Sequence, residues 1–271
     1  MNKLQLKNGN IVIYLILLTI VICTMVMLRR CDNRSLGLAS SHNDTLDIAI
    51  EYSPLSLYTY NDTLGGFNYE IITEIAKQHN LSVKFHPIVT LQKALNGLHT
   101  SQYDVIIADI PRTEEIQKQY LLTEPTFLDK QVLIQRKDSI SGKAKIKSQL
   151  DLAQDSVWIV AGSPIKKRIS NLSEEIGDTI YVCEEPIYAS EQLFLMVAIG
   201  DIKYAVINEQ VAKAMKPDYP HVNINTDISF TQFQSWILNQ NDSTLCDSLN
   251  RWIKTFKTTE NYRNLKHKYL K

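Results

Sequence analysis

LDIAIEYSPLSLYTYNDTLGGFNYEIITEIAKQHNLSVKF, residues 46–85, decides the fold class. Leu46–Ile50 (LDIAI) is an apolar run of strand length. Phe67, Ile71, Ile72, Ile75 and Ala76 then fall on one face of a helix that starts after Gly65-Gly66. Leu81–Phe85 (LSVKF) alternates as a half-buried strand, and Pro87 predicts its end. Outward from this unit the pattern continues. Leu91, Ala94, Leu95 and Leu98 are helix-spaced, and Tyr103–Ala108 (YDVIIA) reads as a buried strand. A second series follows: Val157–Val160, a helix after Ser163-Pro164, Thr179–Val182, a helix through Leu193, Met196 and Val197, and Tyr204–Ile207. Two successive βαβ series predict an α/β protein with two parallel-sheet lobes. Helical stripes close the chain, with Leu245, Leu249, Trp252, Ile253 and Phe256 on one and Tyr262, Leu265 and Tyr269 on the other.

The rest of the composition narrows the class. The 271 residues hold 29 basic and 29 acidic side chains. A net charge of zero argues against nucleic acid as a partner, which calls for a basic stripe. With 44% hydrophobic and 21% charged residues, wholesale disorder is excluded. Four cysteines in a chain this long are no disulfide scaffold. Cys183 and Cys246 are read as free.

Upstream of the first series, Ile11–Leu28 (IVIYLILLTIVICTMVML) carries no charge. At ~1.5 Å per residue it would reach roughly 27 Å, about a bilayer core. The reading is a 1–10 cytoplasmic stub, an uncleaved transmembrane anchor over 11–28 and a polar linker over 29–45. Arg29 and Arg30 make Cys31 a poor lipidation site, because lipoproteins carry small residues there. Lys3 and Lys7 on one side balance Arg29, Arg30 and Arg34 on the other, so charge does not orient the anchor. The soluble domain is 46–271, with lobe 1 at about 46–132 and 228–271 and lobe 2 at about 133–227. In open α/β sheets ligands bind at the carboxyl ends of strands, and two such lobes can close on a solute about a hinge.

The order of short motifs is similar to that of the solute-binding protein family 3, the bacterial extracellular receptors for amino acids and similar solutes. It runs as LDIAIEYSPLSLY, GGFNYEIITEIAKQHNLSVKFHPI, ALNGLHTSQYDVIIADI and RTEEIQKQYLLTEPTFLDKQVLIQRKDS. Weaker echoes lie at Ala161-Gly162-Ser163, and the tail NYRNLKHKYLK resembles the family's last helix. The second-lobe stretch GDIKYAVIN is most similar to the non-catalytic N-terminal domain of the membrane-bound lytic murein transglycosylase F proteins. The resemblance implies a two-lobed periplasmic-binding-protein-like fold with a hinge. With the anchor read over 11–28, it also decides the side: a single-pass protein of the bacterial inner membrane with its soluble domain in the periplasm. A transporter permease or a cell-wall enzyme is the implied partner, beside a small-molecule ligand and the inner membrane through 11–28.

Carried over position by position, the resemblance places Tyr52 where a ring covers the ligand. The plain alternative is a tyrosine packed on Pro54. The stretch that would hold a ligand carboxylate is Asp109-Ile110-Pro111, which offers no hydroxyl, and Pro111 has no N–H. The family's carboxylate-clamping arginine falls at Ile116. The acidic residue for the ligand ammonium falls at Asn208. Arg112, four residues before Ile116, is either a replacement anion ligand or a surface arginine. Gly162 and Ser163 precede a helix whose N–H groups could hold an anion or simply be capped. Both ionic grips for a zwitterion are therefore missing, and a buried zwitterion needs opposite charges around it. The ligand is expected not to be a free α-amino acid in the usual pose, and a cell-wall fragment or another solute is the candidate.

No metal, cofactor or catalytic residue is expected. The chain lacks G-x-S-x-G, H-E-x-x-H, Walker and G-x-G-x-x-G motifs, and its six histidines are scattered. It also lacks the Glu-Ser dipeptide of the transglycosylase catalytic domain. Two rivals stay open. One is a dehydratase-like enzyme in the same cleft, with Asp109 as its candidate acid. The other is a degenerate scaffold for a protein partner. A cleft with convergent polar groups favours binding, and a filled cleft favours the scaffold.

Overall fold

The computed structural model describes residues 17–19, 45–187 and 189–270. The chain divides between residues 43 and 44, and the lobes both belong to the second part. The expected stub 1–10 and the linker up to residue 44 lie outside the described residues. Of the expected anchor 11–28, only Leu17–Thr19 is described, as helix. The expectation of a single-pass inner-membrane protein is corrected on one finding. No helix among the described residues is long and apolar enough to cross a membrane. A bilayer core takes about 20 helical residues.

The first lobe opens with β1 (Thr45–Glu51), the hairpin β2 (Tyr58–Tyr60) and β3 (Thr63–Gly65), and α1 (Phe67–Gln78). It continues through β4 (Ser82–Ile88), α2 (Leu91–His99), β5 (Val105–Ile107), α3 (Glu114–Gln119), β6 (Leu121–Leu122) and β7 (Phe127–Asp129). The second lobe holds β8 (Gln131–Arg136), β9 (Ser156–Val160), α4 (Ile165–Ile176), β10 (Tyr181–Glu185) and α5 (Ser190–Ile199). It ends with β11 (Tyr204–Asn208), α6 (Glu209–Met215) and β12 (Val222–Asp227). The chain then returns through β13 (Gln232–Gln234), β14 (Ile237–Leu238), α7 (Ser243–Lys257) and α8 (Glu260–Tyr269).

The sheet orders are β4-β1-β5-β14-β6 and β10-β9-β11-β8-β12. Each has a parallel trio, and each gains antiparallel strands from the segments that cross between lobes. The sheets are thus mixed rather than all-parallel. The period-based reading missed β8 and β12, because they enter from the hinge rather than from βαβ units. Pro87 does not end β4. It pairs with Ile50, and it is tolerated because β4 is an edge strand with one unpaired side. Strand β5 is buried throughout between β1 and β14, as its unbroken Val-Ile-Ile run requires.

Gly66 shows why α1 begins where it does. Its φ is 138°, and a Cβ there would lie 2.3 Å from the Ser56 carbonyl oxygen. Glycine alone fits this backbone. Its N–H donates to the Tyr269 hydroxyl at 3.1 Å, which ties α8 to the start of α1. Ile71, Ile72 and Ile75 of α1 are buried together with Leu249, Ile253 and Phe256 of α7 on one face of the sheet. Ala94 and Leu98 of α2 cover the other.

Two segments join the lobes. Lys130 links β7 to β8, and residues 228–231 link β12 to β13. They are knitted together: the Ile228 N–H donates to the Gln131 carbonyl at 2.8 Å, and the Gln131 N–H donates to Ser229 Oγ at 2.9 Å. Lys130 Nζ lies 2.7 Å from Asp227 Oδ2 and 3.6 Å from Glu209 Oε1. One apolar cluster runs through this side, from Phe67, Phe127 and Trp236 to Val132, Phe194 and Val211.

Candidate functional site

The carboxyl ends of equivalent strands face one gap. Glu51 ends β1, Val160 ends β9 and Asn208 ends β11, while Asp109 follows β5 by two residues. All four line the gap, with Gln131 from the hinge and Ser163 and Ser190 near the starts of α4 and α5. Its volume is about 50 Å³, so the lobes are nearly shut. Among the described residues, no Lys, Arg or His lines it. Hollows of about 310 Å³ beside Phe127 and Tyr262 and about 650 Å³ beside Lys130 and Lys213 are larger. Neither holds the ends of β1, β5 or β9, and polar atoms converge at the narrow gap instead.

A hydrogen bond crosses between the lobes. Asn208 Nδ2 donates to the backbone carbonyl of Asp109 at 3.0 Å, and Asn208 Oδ1 accepts from Gln131 Nε2 at 2.8 Å. Behind Asp109 stands a buried relay. Trp236 Nε1 donates to Asn68 Oδ1 at 3.2 Å. Asn68 Nδ2 donates to Asp109 Oδ1 at 3.1 Å and to Ser56 Oγ at 2.8 Å, and Ser56 Oγ donates to Asp109 Oδ1 at 3.2 Å. The Asp109 N–H donates to Glu51 Oε2 at 3.1 Å. Each partner is held rigidly: Trp236, Asn68 and Ser56 are at most 1% exposed.

Two acceptors at this gap, Asp109 Oδ2 and Gln131 Oε1, are buried without a hydrogen-bond partner. Leaving such a group unpaired costs about 1–3 kcal/mol. The carboxyls respond as burial dictates. Burial, then the charges of Glu51 and Asp129, push Asp109 well above the ordinary carboxylate value, against the pull of Ser56 and Asn68. Burial also pushes Glu51 up. Burial raises Asp129 to about 7, despite N–H bonds from Lys130 and Gln210. Among the described residues no His, Cys, Asp and Glu are grouped to hold a metal ion. Once one of these carboxyls is ionised, a second anion about 4 Å away is repelled by roughly 4 kcal/mol at an effective dielectric of about 20.

The six residues singled out from the sequence, Tyr52, Asp109, Arg112, Gly162, Ser163 and Asn208, separate into two groups. Asp109, Ser163 and Asn208 line the gap together. Gly162 sits at its rim with φ +72°, where an added Cβ would lie 3.7 Å from Gln92 Oε1 of the facing lobe. Ser163 Oγ accepts from the Ile165 N–H at 3.2 Å, a capping bond. Tyr52 and Arg112 are not among the lining residues. The Tyr52 ring is exposed, and its N–H donates to Ile88 O at 2.8 Å. Arg112 is exposed, its N–H donates to Phe233 O at 2.9 Å, and its charge is felt by Cys246 of α7. Sequence reasoning passed over Glu51, Gln131 and Asp129. Glu51 had a readable sign, an acid closing a buried strand. Gln131 and Asp129 flank the crossing into the second lobe, and no local pattern marks that crossing.

The family model of bacterial extracellular solute-binding proteins, family 3, matches residues 45–271. Among curated proteins, the membrane-bound lytic murein transglycosylase F of Shewanella loihica is 21% identical over 76% of this chain and 43% of its own length. That of Saccharophagus degradans is 25% identical over 72% of this chain and 38% of its own. The chain spans about half or less of the length of such relatives. Among solved structures, an ancestral arginine-binding protein bound to arginine aligns with a TM-score of 0.73 at 23% identity, covering 84% of this chain and 99% of that one. An ancestral amino acid-binding protein, described as a precursor of cyclohexadienyl dehydratase, aligns at 0.70 with 20% identity, covering 84% and 96%. An amino acid ABC transporter substrate-binding protein from Streptococcus pneumoniae bound to L-arginine aligns at 0.69 with 17% identity, covering 83% and 94%. At these identities the likeness shows the fold alone, a two-lobed α/β periplasmic-binding-protein fold.

Proposed function

The chain belongs to the bacterial extracellular solute-binding proteins, family 3, and we propose that it binds or senses a small solute by closing its lobes at the Asp109–Asn208 gap. The solute is not a free α-amino acid in the usual pose. The observation that carries this reading is the gap itself. Its two sides already meet through Asn208 and the Asp109 carbonyl, and among the described residues no cationic side chain lines it to grip a carboxylate. Ligand that binds between the lobes stabilises the closed form by its differential affinity. The output is delivery to a transporter permease or the reporting of cell-wall fragments to a cell-wall enzyme. The names of the curated relatives support the second, and a transporter-linked structural neighbour supports the first.

A thermal-shift screen with amino acids, dipeptides and muropeptides tests this. Stabilisation by a solute other than a single amino acid is expected. Stabilisation by a plain α-amino acid alone would refute it. Silence across every solute would favour the scaffold.

A second reading has one observation behind it: Asp109 lines the gap with its carboxyl pushed well above the ordinary range, as a general acid needs. A stabilising solute can be recovered and weighed. Unchanged recovery supports binding. Loss of water that Asp109→Asn abolishes would move the assignment to a dehydratase-like enzyme.

A further inference from the structure

We propose that the gap receives the ammonium group of a small aliphatic amine that carries no carboxylate. This rests on the lobe-closure reading above and narrows its solute to one chemical class, which leaves out carboxylate-bearing muropeptides and dipeptides. Groups that cannot be reversed fix the hydrogen-bond polarity of the gap from both sides.

The Asp109 backbone carbonyl can only accept. Asn208 must therefore turn its amide nitrogen towards it, and does so at 3.0 Å. Asn208 Oδ1 then faces Gln131 and accepts from Nε2 at 2.8 Å. Gln131 is left with its oxygen free. That oxygen has no partner, although the residue is only 2% exposed and lines the gap. On the first lobe, the indole N–H of Trp236 can only donate. It fixes Asn68 with its oxygen towards the ring and its nitrogen towards Asp109 Oδ1. Asp109 Oδ2 is left sealed and unpartnered. Glu51 adds a further carboxyl to the lining.

The Gln131 oxygen is thus an acceptor by necessity, and Asp109 Oδ2 becomes one when its carboxyl is ionised, the state that a neighbouring cation favours. A group that satisfies them must bring several donors and positive charge. An ammonium brings three N–H donors and one charge. A hydroxyl brings one donor and no charge. A carboxylate or phosphate brings more acceptors and more negative charge, to a lining that holds no Lys, Arg or His among the described residues. A zwitterion would place its own carboxylate among the same oxygens. Ile88, Ile110, Val160 and Ile165 supply apolar wall for a hydrocarbon tail.

Isothermal titration of the full chain near neutral pH tests the assignment with four probes: butylammonium chloride, 4-aminobutanoate, butanoate and potassium chloride. The expected result is binding of butylammonium, with the other three weaker by at least about tenfold, the effect of one charge-assisted hydrogen bond. Asp109→Asn and Glu51→Gln should each weaken butylammonium by a similar factor. The probe comparison on the unaltered chain stands whether or not the variants fold. The assignment is overturned if 4-aminobutanoate or butanoate binds as tightly as butylammonium, if potassium alone matches it, or if butylammonium is silent. Binding of a dipeptide or a muropeptide while butylammonium is silent overturns the amine class and leaves the solute-binding reading standing, whereas binding of a plain amino acid alone overturns both. Silence of those solutes as well removes both.

Discussion

The two lobes share one sheet order and differ at the edge that faces the gap. In the first lobe the ends of β1 and β5 present Glu51 and Asp109. In the second the matching ends of β9 and β11 present Val160 and Asn208. One edge is acidic and braced from behind by Trp236, Asn68 and Ser56. The other is neutral and offers an amide and two hydroxyls. Topology therefore positions a binding edge without choosing its chemistry, which rests with one or two residues at each strand end.

The contrast between the lobes is tested most severely through their cores. Trp236 and Phe194 are both buried, one in each lobe. Replacing either by alanine should cost about 3–5 kcal/mol in urea unfolding. Only Trp236→Ala should also free Asp109, by releasing Asn68. Equal effects of the two variants on solute binding would contradict the one-sided brace.

The buried acids of the first lobe, Asp129 at the end of β7 among them, also predict a pH dependence. Raised carboxyl values mean that the folded state binds more protons than the unfolded one. For Asp129 this holds between its ordinary 3.8 and about 7. Stability then falls as pH rises through that window. The Tm should be higher near about pH 5 than near about pH 8, and Asp129→Asn should flatten the slope. A Tm that climbs with pH over this range would reverse the sign and contradict the burial of these acids.

Next in size is Trp236→Phe, which keeps the ring and removes the N–H. The unpaired Asn68 oxygen should cost about 1–3 kcal/mol, read by the same unfolding assay. Smaller still is Lys130→Met at the hinge. Lys130 Nζ lies 2.7 Å from a half-exposed Asp227, so the loss should stay within about 1 kcal/mol. A larger loss would show the hinge ion pairs to be more than surface electrostatics.

Much of the fold was readable from one local rule, apolar spacing. It located β1, α1, β4, α2 and β9 because each buries one face of a βαβ unit. It failed at β8 and β12, whose partners lie far away in sequence. It also failed at Pro87, where an edge position overrides the usual strand-ending sense of proline. At the candidate site, the family resemblance named Asp109 and Asn208 and the helix start named Ser163, and these three line the gap. Neither signal could reach Gln131, whose importance comes from an amide chain closed between two lobes. Nor could either show that Arg112 is absent from the gap lining, since one helical turn from Ile116 is compatible with either face.

The expected membrane anchor belongs to a different kind of inference. It rested on the length of an apolar run, and among the described residues no helix of the required length and apolarity exists.

Lobe movement at the gap is the claim on which ligand capture depends. A distance measured by pulsed spin-label spectroscopy between probes at Gln92 and Ser190, on opposite sides of the gap, reads it directly. Jaw-like closure predicts a long and a short population, with a stabilising solute shifting the protein to the short one and Asn208→Ala shifting it to the long one. A single distance, unmoved by solute and by Asn208→Ala, would show that the two halves do not act as jaws.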